Sequence, residues 1–233
     1  MPRQAPDLQS LRAILFDLDG TLYVQKPVRR GMALELLSYP VISGRPIRGL
    51  RTIRILRAYR ALHEELREAP TRHLGRVQLE RAAARAGVPL EEAERTVHEW
   101  MIRRPLPRLM RAKREGLDAF LLAAKQRGLE LGVYSDYPVE EKLRGLGVRE
   151  HFSWVGSSAD ERIDELKPSP KGFATAASEW GIAPEQVLYV GDRAEVDRAG
   201  AESAGMACVL MGADQPSPSA RDFKELSRVL GLA

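Results

Sequence analysis

The stretch of sequence that decides the fold is residues 12–23, RAILFDLDGTLY. Residues 12–17 form a short apolar run that stops at the turn-forming residues Asp-Leu-Asp-Gly, which is typical of a buried strand ending at a loop. Four later runs have the same character, at residues 129–135, 151–156, 186–191 and 207–212. The segments between them have the apolar spacing of amphipathic helices. The sequence therefore predicts an α/β fold, with a Rossmann-like parallel sheet covered by helices on both faces.

The strand pattern is interrupted once, directly after the first strand. Residues 24–112 contain no strand pattern, and their apolar spacing predicts helices at about 45–67, 73–87 and 90–103. We therefore expect a core domain made of residues 1–23 and 113–233, with residues 24–112 inserted as a helical cap domain. After residues 215–219, QPSPS, the sequence predicts a short loop and a closing helix.

Charge is unevenly distributed along the chain. The 36 Lys and Arg residues outnumber the 32 Asp and Glu residues, which gives a formal net charge of +4. Residues 41–115 hold 18 of the basic and 9 of the acidic residues, a net of +9, so the rest of the chain has a net of −5. This asymmetry favours a basic cover that attracts an anionic small molecule, with a partner-binding face as the alternative, and no nucleic-acid partner is expected.

Nothing in the sequence indicates a membrane or secretion. The longest run without a charged residue is Ser203 to Ala213, eleven residues, whereas about 20 are needed to cross a bilayer. The N-terminal residues lack the apolar segment of a secretory signal, so we expect a cytoplasmic protein that begins near Met1. Cys208, the single cysteine, is predicted to be a buried structural thiol. The sequence leaves the oligomeric state open.

Acidic residues gather where the predicted strands end. Asp17 and Asp19 follow the first strand, and Asp192 and Asp197 follow the strand at residues 186–191. Because ligands bind at the carboxyl ends of the strands in an open parallel sheet, these four carboxylates are expected in one cleft. They cannot all stay ionised there without a cation, and hard oxygen ligands select Mg²⁺.

The other polar side chains at this edge suit phosphate chemistry. Ser135 ends the second strand, and Lys167, in the segment LKPSP, offers a mobile ammonium. The set contains no histidine, serine dyad or reactive cysteine, so the predicted nucleophile is a carboxylate that attacks phosphorus in line. Asp17 is the candidate. Asp19 would protonate the leaving oxygen and later take a proton from the hydrolytic water.

Binding of the phosphate is expected to involve the loop after the first strand as well. Backbone N–H groups of this loop, around Gly20 and Thr21, would orient the phosphate together with Ser135, while Lys167 and Mg²⁺ neutralise its charge. The histidines are not spaced as metal ligands and are predicted to be structural or surface residues. They are His63, His73, His98 and His151.

Four segments in this order resemble the haloacid dehalogenase superfamily. They are FDLDGTLY at 16–23, a strand that ends in Ser135, LKPSPKGF at 166–173 and YVGDRAEVDRAGAESAGM at 189–206. The resemblance covers essentially the whole chain and is to the phosphatases with a small helical cap, such as phosphoglycolate phosphatase. It implies Mg²⁺-dependent hydrolysis of a small phosphorylated metabolite through an aspartyl phosphate on Asp17. It also implies Asp17, the Asp19 main chain and Asp192 as Mg²⁺ ligands, with Asp197 in support.

The resemblance leaves two alternatives open and shows one departure. A phosphomutase of the sugar-phosphate type would keep the same motifs, and a non-catalytic phosphate-binding module would keep the fold. Asp19 argues against a dehalogenase, because a leaving halide needs no proton. The departure is Asp136, which follows Ser135 where the superfamily often has Asn, and which adds negative charge near the phosphate site.

The cap carries one unusual pattern, an arginine at every third position. The series comprises Arg45, Arg48, Arg51, Arg54, Arg57 and Arg60. An α-helix turns about 100° per residue, so the six spiral around the helix and only neighbours can face the cleft together. One interpretation is a solvated helix face. The other is that one neighbouring pair binds a second anionic group of the substrate, because arginine pairs well with carboxylate or phosphate.

Overall fold

The computed structural model describes residues 10–42 and 46–232. At its centre lies a six-stranded parallel sheet in the order β3-β2-β1-β4-β5-β6. The strands are β1 Ala13–Phe16, β2 Glu130–Ser135, β3 Trp154–Ser157, β4 Val187–Gly191, β5 Ala207–Met211 and β6 Ser219–Ala220. The chain builds outward from β1 to β3 and then crosses to β4 on the other side of β1. The crevice where ligands bind in such sheets therefore lies beyond the ends of β1 and β4.

Strand β1 is buried on both faces, which explains its continuous apolar sequence. Ile14 and Phe16 pack into one cluster of core side chains, whereas Ala13 and Leu15 pack into a second cluster on the opposite face. Phe16 makes edge-on ring contacts with Phe120 and Phe152, at centroid distances of 6.1 and 6.0 Å. These two clusters confirm the predicted sheet with helices on both faces.

Helices make up most of the remaining structure. Their bounds are α1 Gln25–Ile42, α2 Pro46–Glu68, α3 Leu74–Ala86, α4 Leu90–Val97, α5 Leu106–Ala112, α6 Leu117–Gln126, α7 Glu140–Gly145, α8 Lys171–Trp180, α9 Ala199–Ser203 and α10 Phe223–Val229. Within the described residues, no helix has both the length and the apolar character that crossing a membrane requires.

Helices α1 to α5 lie in the predicted insertion, and three of them share a core of their own. Ile55 and Leu62 of α2 pack with Ala82 of α3 and Ala93 of α4 in a cluster separate from those at the sheet. The two ends of the insertion pack differently. Val28 of α1 and Leu109 of α5 belong to the cluster that covers β1. The insertion is thus a small helical unit whose first and last helices rest on the sheet side of the molecule.

Local details differ from the sequence-based expectation in several places, including α1 and α5, which lie outside the three helices predicted for residues 24–112. Residues 219–220, expected in a loop, form β6 beside β5. The predicted strand at 151–156 begins only at Trp154, because Arg149–His151 form a 3₁₀ turn. The predicted helix 90–103 ends as α-helix at Val97 and continues as the π-helical turn His98–Arg103, and α9 is preceded by a similar turn at Ala194–Arg198.

Candidate active site

The side chain of Lys167 lies at the centre of the candidate site. Its Nζ is 2.7 Å from Oδ1 of Asp17, which follows β1, and 2.7 Å from Oδ1 of Asp197. It also donates to the hydroxyl of Tyr189, on β4, at 2.9 Å. Lys167 is fully buried. The expectation of a mobile ammonium is therefore wrong, because three oxygen partners hold this group between β1 and the segment after β4.

Asp197 holds the segment after β4 in place. Its second oxygen, Oδ2, accepts hydrogen bonds from the backbone N–H groups of Asp192 and Arg193, each at 3.0 Å. Burial would raise the pKa of Asp197, but the Lys167 ammonium together with the charge and backbone N–H of Arg193 outweighs it and lowers that pKa below its ordinary value. Asp197 is thus an ionised anchor that positions the Asp192 side chain at the strand end.

Three of the four predicted carboxylates come together. Oxygens of Asp17, Asp192 and Asp197 all lie within 4.8 Å of one another. Burial, opposed by Lys167 and reinforced by the other two carboxylates, raises the pKa of Asp17 to about 8. Burial and the Asp197 charge raise the pKa of Asp192 to about 6. A cation beside these oxygens would favour their ionised forms, and a set of carboxylate oxygens is the donor set that Mg²⁺ prefers.

The fourth carboxylate, that of Asp19, has a different partner. Lys142 of α7 donates to both of its oxygens at 2.8 Å, and the hydroxyl of Tyr23 donates to Oδ1. Burial acts to raise the pKa of Asp19, but Lys142 and Tyr23 outweigh it and lower that pKa. The side chain of Asp19 therefore has its own counter-ion and does not belong to the three-carboxylate group, so its predicted metal contact reduces to the main chain.

A cavity of about 160 Å³ opens at these residues, and we refer to it as the catalytic cavity. Among the predicted site residues, Asp17, Asp19, Ser135 and Asp192 line it. The other lining side chains include the basic residues Arg29, His63, Arg67 and Arg193. An anion in this cavity would face guanidinium groups from both the insertion and the segment after β4.

The other predicted site residues do not line the catalytic cavity but lie next to Asp17 or Asp192, which do. They are Gly20, Thr21, Lys167 and Asp197. The Thr21 hydroxyl donates to Oδ2 of Asp17 at 3.3 Å. Gly20 has φ of +109°, and a Cβ atom at this position would overlap the Asp192 carboxylate. Arg114 donates to the carbonyl oxygens of both Gly20 and Thr21. These residues fix the loop after β1 and leave room for Asp192.

Asp136, the departure from the superfamily pattern, joins the insertion to the sheet. Its Oδ2 accepts from Arg67 of α2 at 2.9 Å and from Arg193 at 3.3 Å, and its Oδ1 accepts from the Ser158 hydroxyl at 3.0 Å. Arg67 also donates to the carbonyl oxygen of Lys167. Burial would by itself raise the pKa of Asp136, but the surrounding basic side chains outweigh it and hold that pKa well below its ordinary range.

A second cavity, of about 490 Å³, adjoins the catalytic cavity, and we call it the outer chamber. Its lining includes Asp19 and Lys142 together with Leu56, Arg60 and Trp100 of the insertion. The two cavities share five lining residues, namely Asp19, Gln25, Arg29, Glu64 and Tyr137. The two cavities are therefore neighbours, the catalytic cavity at Asp17 and the outer chamber along residues of α1 and α2.

The described members of the arginine series lie in different environments, and no two of them line the catalytic cavity or the outer chamber together. Arg45 lies outside the described residues. Arg48 and Arg51 line another cavity, of about 890 Å³, formed by the insertion alone. Arg54 donates to the carbonyl oxygen of Ala86, and Arg57 lines neither the catalytic cavity nor the outer chamber. Of the members that the structure describes, only Arg60 lines the outer chamber.

Several residues at the site were not predicted from the sequence. Lys142, Arg67 and Arg29 lie on helices and belong to no recognisable motif. His63 was expected to be structural or on the surface, yet it is buried and lines the catalytic cavity, with Nε2 3.7 Å from Asp136 Oδ2. One feature of the sequence could have indicated the residues around Asp136. A buried acid at this position requires basic partners, and α2 carries several basic residues.

We expect Asp136→Asn to destabilise the folded protein. The amide cannot balance the charge of Arg67 and Arg193, and unpairing a buried ion pair costs about 3 kcal/mol. Because the folded-state pKa of Asp136 is depressed, its stabilisation is fully present above the unfolded-state pKa of about 4. It begins to decline as the pH falls below that value and is lost only as the pH falls through the folded-state pKa. Denaturant unfolding at pH 7 and pH 3.5 should show the difference from wild type shrinking at the lower pH.

The matched control is Asp118→Asn, because Asp118 pairs with Lys113 through a side chain that is 64% exposed. An exposed pair contributes at most about 1 kcal/mol. Equal losses of unfolding free energy in the two variants would contradict the role assigned to Asp136.

Comparison with known proteins places this geometry in a family. The family model for haloacid dehalogenase-like hydrolases matches residues 11–205. The haloacid dehalogenase-like hydrolase domain-containing protein 3 of Mus musculus is 35% identical over 108 residues, but the match spans only 46% of this chain and 42% of that protein.

Two further relatives are matched over most of their length. Glyceraldehyde 3-phosphate phosphatase of Methanopyrus kandleri is 30% identical over 209 residues, which is 85% of this chain and 83% of that protein. Phosphoglycolate phosphatase of Salmonella paratyphi A is 29% identical, with 97% of this chain and 94% of that protein covered. These names agree with the prediction of an enzyme that hydrolyses phosphoric monoesters.

The fold has close counterparts among solved structures. The crystal structure of a subfamily IA hydrolase of the same superfamily, from Geobacter sulfurreducens, superposes with a TM-score of 0.62 at 24% identity and covers 95% of this chain and 97% of its own. The predicted fold class and the predicted resemblance are both confirmed. The chain belongs to the haloacid dehalogenase-like hydrolases.

Proposed function

We propose that this enzyme is a Mg²⁺-dependent phosphatase that hydrolyses a small phosphorylated metabolite through a phosphorylated Asp17. The observation that carries the proposal is the position of Asp17. Its carboxylate borders the catalytic cavity while being held by the buried ammonium of Lys167. A carboxylate fixed beside a cation, at the edge of an anion-sized cavity that three guanidinium groups help to line, suits attack on phosphorus.

Asp17 would act as the nucleophile because its surroundings fix its orientation. Oδ1 contacts Lys167 and Oδ2 accepts from Thr21, so the carboxylate plane is set before the substrate arrives. Attack on the phosphorus forms the Asp17 O–P bond as the bond to the leaving oxygen breaks. Arg29, Arg193 and Ser135 line the cavity in which the equatorial oxygens would lie.

Asp19 would handle the protons. Its carboxylate borders both cavities, so it lies between the position of the phosphate and the space for the leaving group. It would give a proton to the leaving oxygen and later accept one from the water that hydrolyses the phosphorylated Asp17. Lys142, which donates to both oxygens of this carboxylate, would orient it, and the proton taken from the water would serve as the acid proton of the next turnover.

The residues present fit a Mg²⁺ ion. Asp17 and Asp192 would hold it with their carboxylates and Asp19 with its main chain, while Asp197, occupied by Lys167 and two amides, would support Asp192 from behind. Such an ion neutralises charge that develops on the transferred phosphoryl group. We further infer that residues 24–112 act as the cap over a core of residues 1–23 and 113–233, because both parts line the catalytic cavity.

Metal dependence provides one test, in which removal of divalent ions should abolish hydrolysis of 4-nitrophenyl phosphate. The variant Gly20→Ala should lower Mg²⁺ affinity by about 10- to 100-fold in a calorimetric titration, because its Cβ displaces Asp192. Gly128→Ala is the control, since Gly128 also has positive φ, +78°, but has nothing within 4 Å of an added Cβ. Hydrolysis that persists in excess chelator would refute the metal assignment.

Substitutions of Asp17 and Asp19 should impair different steps of the reaction. Asp17→Asn should lower turnover by at least about 1,000-fold and leave no acid-stable phosphoenzyme, because the nucleophile is lost. Asp19→Ala should slow hydrolysis by about 10²- to 10⁴-fold, and more for alkyl than for 4-nitrophenyl phosphate, because alkyl leaving groups need the proton. Both are measured by phosphate release and rapid-quench labelling. Near-normal turnover of Asp17→Asn would rule out the covalent mechanism.

A further inference from the structure

The outer chamber is large for the leaving group of a very small substrate. Its volume, about 490 Å³, is about three times the 160 Å³ of the catalytic cavity. Cavities of roughly 300–1,000 Å³ are typical of sites that enclose drug-sized ligands. A leaving group of two or three carbon atoms would leave most of this space unfilled. The chamber therefore suits an alcohol portion that is considerably larger.

The walls of the chamber are mainly apolar on the side of the insertion. The apolar side chains come from three separate parts of it and include Val28, Met32, Leu36, Leu56, Trp100 and Met101. Tyr137 adds an aromatic ring next to the catalytic cavity. A ligand body that covers this wall gains free energy by removing apolar surface from water. The body of the leaving group should accordingly be apolar or aromatic.

Two guanidinium groups line this chamber without a carboxylate partner. Among the described residues, no carboxylate oxygen lies within 4.0 Å of Arg29 or Arg60, whereas Lys142 is paired with Asp19 and Glu64 with Arg67. Among the described residues, the hydrogen-bond partner of the Arg60 guanidinium is the sulfur of Met101, at 3.6 Å. Unpaired guanidinium groups that line a partly apolar cavity are complementary to an anionic group of a ligand.

The two arginines differ in position. Arg29 lines both cavities, so it lies within reach of the scissile phosphate, but Arg60 lines the outer chamber only. Arg60 is therefore the residue suited to a second anionic group, separated from the phosphate by the apolar wall. This assigns one member of the arginine series where the sequence suggested a pair.

We propose that this enzyme acts on phosphate monoesters whose alcohol portion has an apolar or aromatic body and carries a second anionic group, which Arg60 binds. This inference rests on the proposed phosphatase function and adds the class of substrate. It distinguishes the preferred substrate from phosphoglycolate and glyceraldehyde 3-phosphate, the substrates named in two relatives, because both lack an apolar body.

The test compares five defined phosphate esters. Phenyl phosphate offers the body alone, and 2-phosphoglycolate offers a carboxylate without the body. 4-Carboxyphenyl phosphate offers both, 4-carbamoylphenyl phosphate is its neutral counterpart, and 4-phosphonophenyl phosphate replaces the carboxylate with a phosphonate. We expect kcat/KM for the better of the two anionic aryl esters to exceed that of the carbamoyl ester by about tenfold, the size of one charge-assisted hydrogen bond. Both the better anionic aryl ester and the carbamoyl ester should have a higher kcat/KM than 2-phosphoglycolate.

Arg60→Ala should remove the tenfold preference through a higher KM while leaving phenyl phosphate within about twofold of wild type. Arg57→Ala is the matched control, because Arg57 is also an exposed arginine of α2 but lines neither the catalytic cavity nor the outer chamber. If phenyl phosphate is hydrolysed and Asp17→Asn is inactive, either of two results would overturn the substrate inference and leave the proposed phosphatase function intact. One is a higher kcat/KM for 2-phosphoglycolate than for the aryl esters. The other is the same set of kcat/KM values in Arg60→Ala and Arg57→Ala. Absence of hydrolysis of all five esters would overturn the proposed function as well.

Discussion

The ammonium of Lys167 is the interaction on which the rest of the site depends. It is buried between Asp17 and Asp197, and isolated burial of any of these three charges would be strongly unfavourable. The pairing links three parts of the chain that are far apart in sequence: the end of β1, the segment before α8 and the turn after β4. The same contact therefore fixes the position of Asp17 and, through the Asp197 carboxylate, the backbone of Asp192.

This constraint also explains why a metal ion suits the site. The Lys167 ammonium pairs with two carboxylates, whereas among the described residues the third carboxylate, that of Asp192, has no comparable partner. The pKa values of Asp17, about 8, and Asp192, about 6, reflect burial together with this excess of negative charge. The protein thus holds a concentration of charge that binding of a divalent ion would relieve, and this concentration lies beside the cavity where a phosphate would bind.

The sequence predicts the parts of the site that are encoded locally. Asp17, Asp19 and Asp192 each follow an apolar strand, so strand periodicity and the rule for parallel sheets are enough to place them together. The same local patterns predict five of the six strands, but β6 has only two residues and depends on pairing with β5. Lys142, Arg67 and His63 could not be predicted in this way. They lie on helices, and only the tertiary arrangement of those helices brings them to Asp19 and Asp136.

Amino-acid composition likewise does not predict which basic residues of the insertion lie at the site. Residues 41–115 carry a net charge of +9, yet few of these basic groups border the catalytic cavity or the outer chamber. Arg67 is neutralised by Glu64 and Asp136, and Arg54 is held by a backbone carbonyl. Net charge raises the local concentration of any anion near the insertion, but it does not select among anions. Selection requires a guanidinium that lines a cavity and has no carboxylate partner, and of the described members of the arginine series, Arg60 meets that condition at the outer chamber.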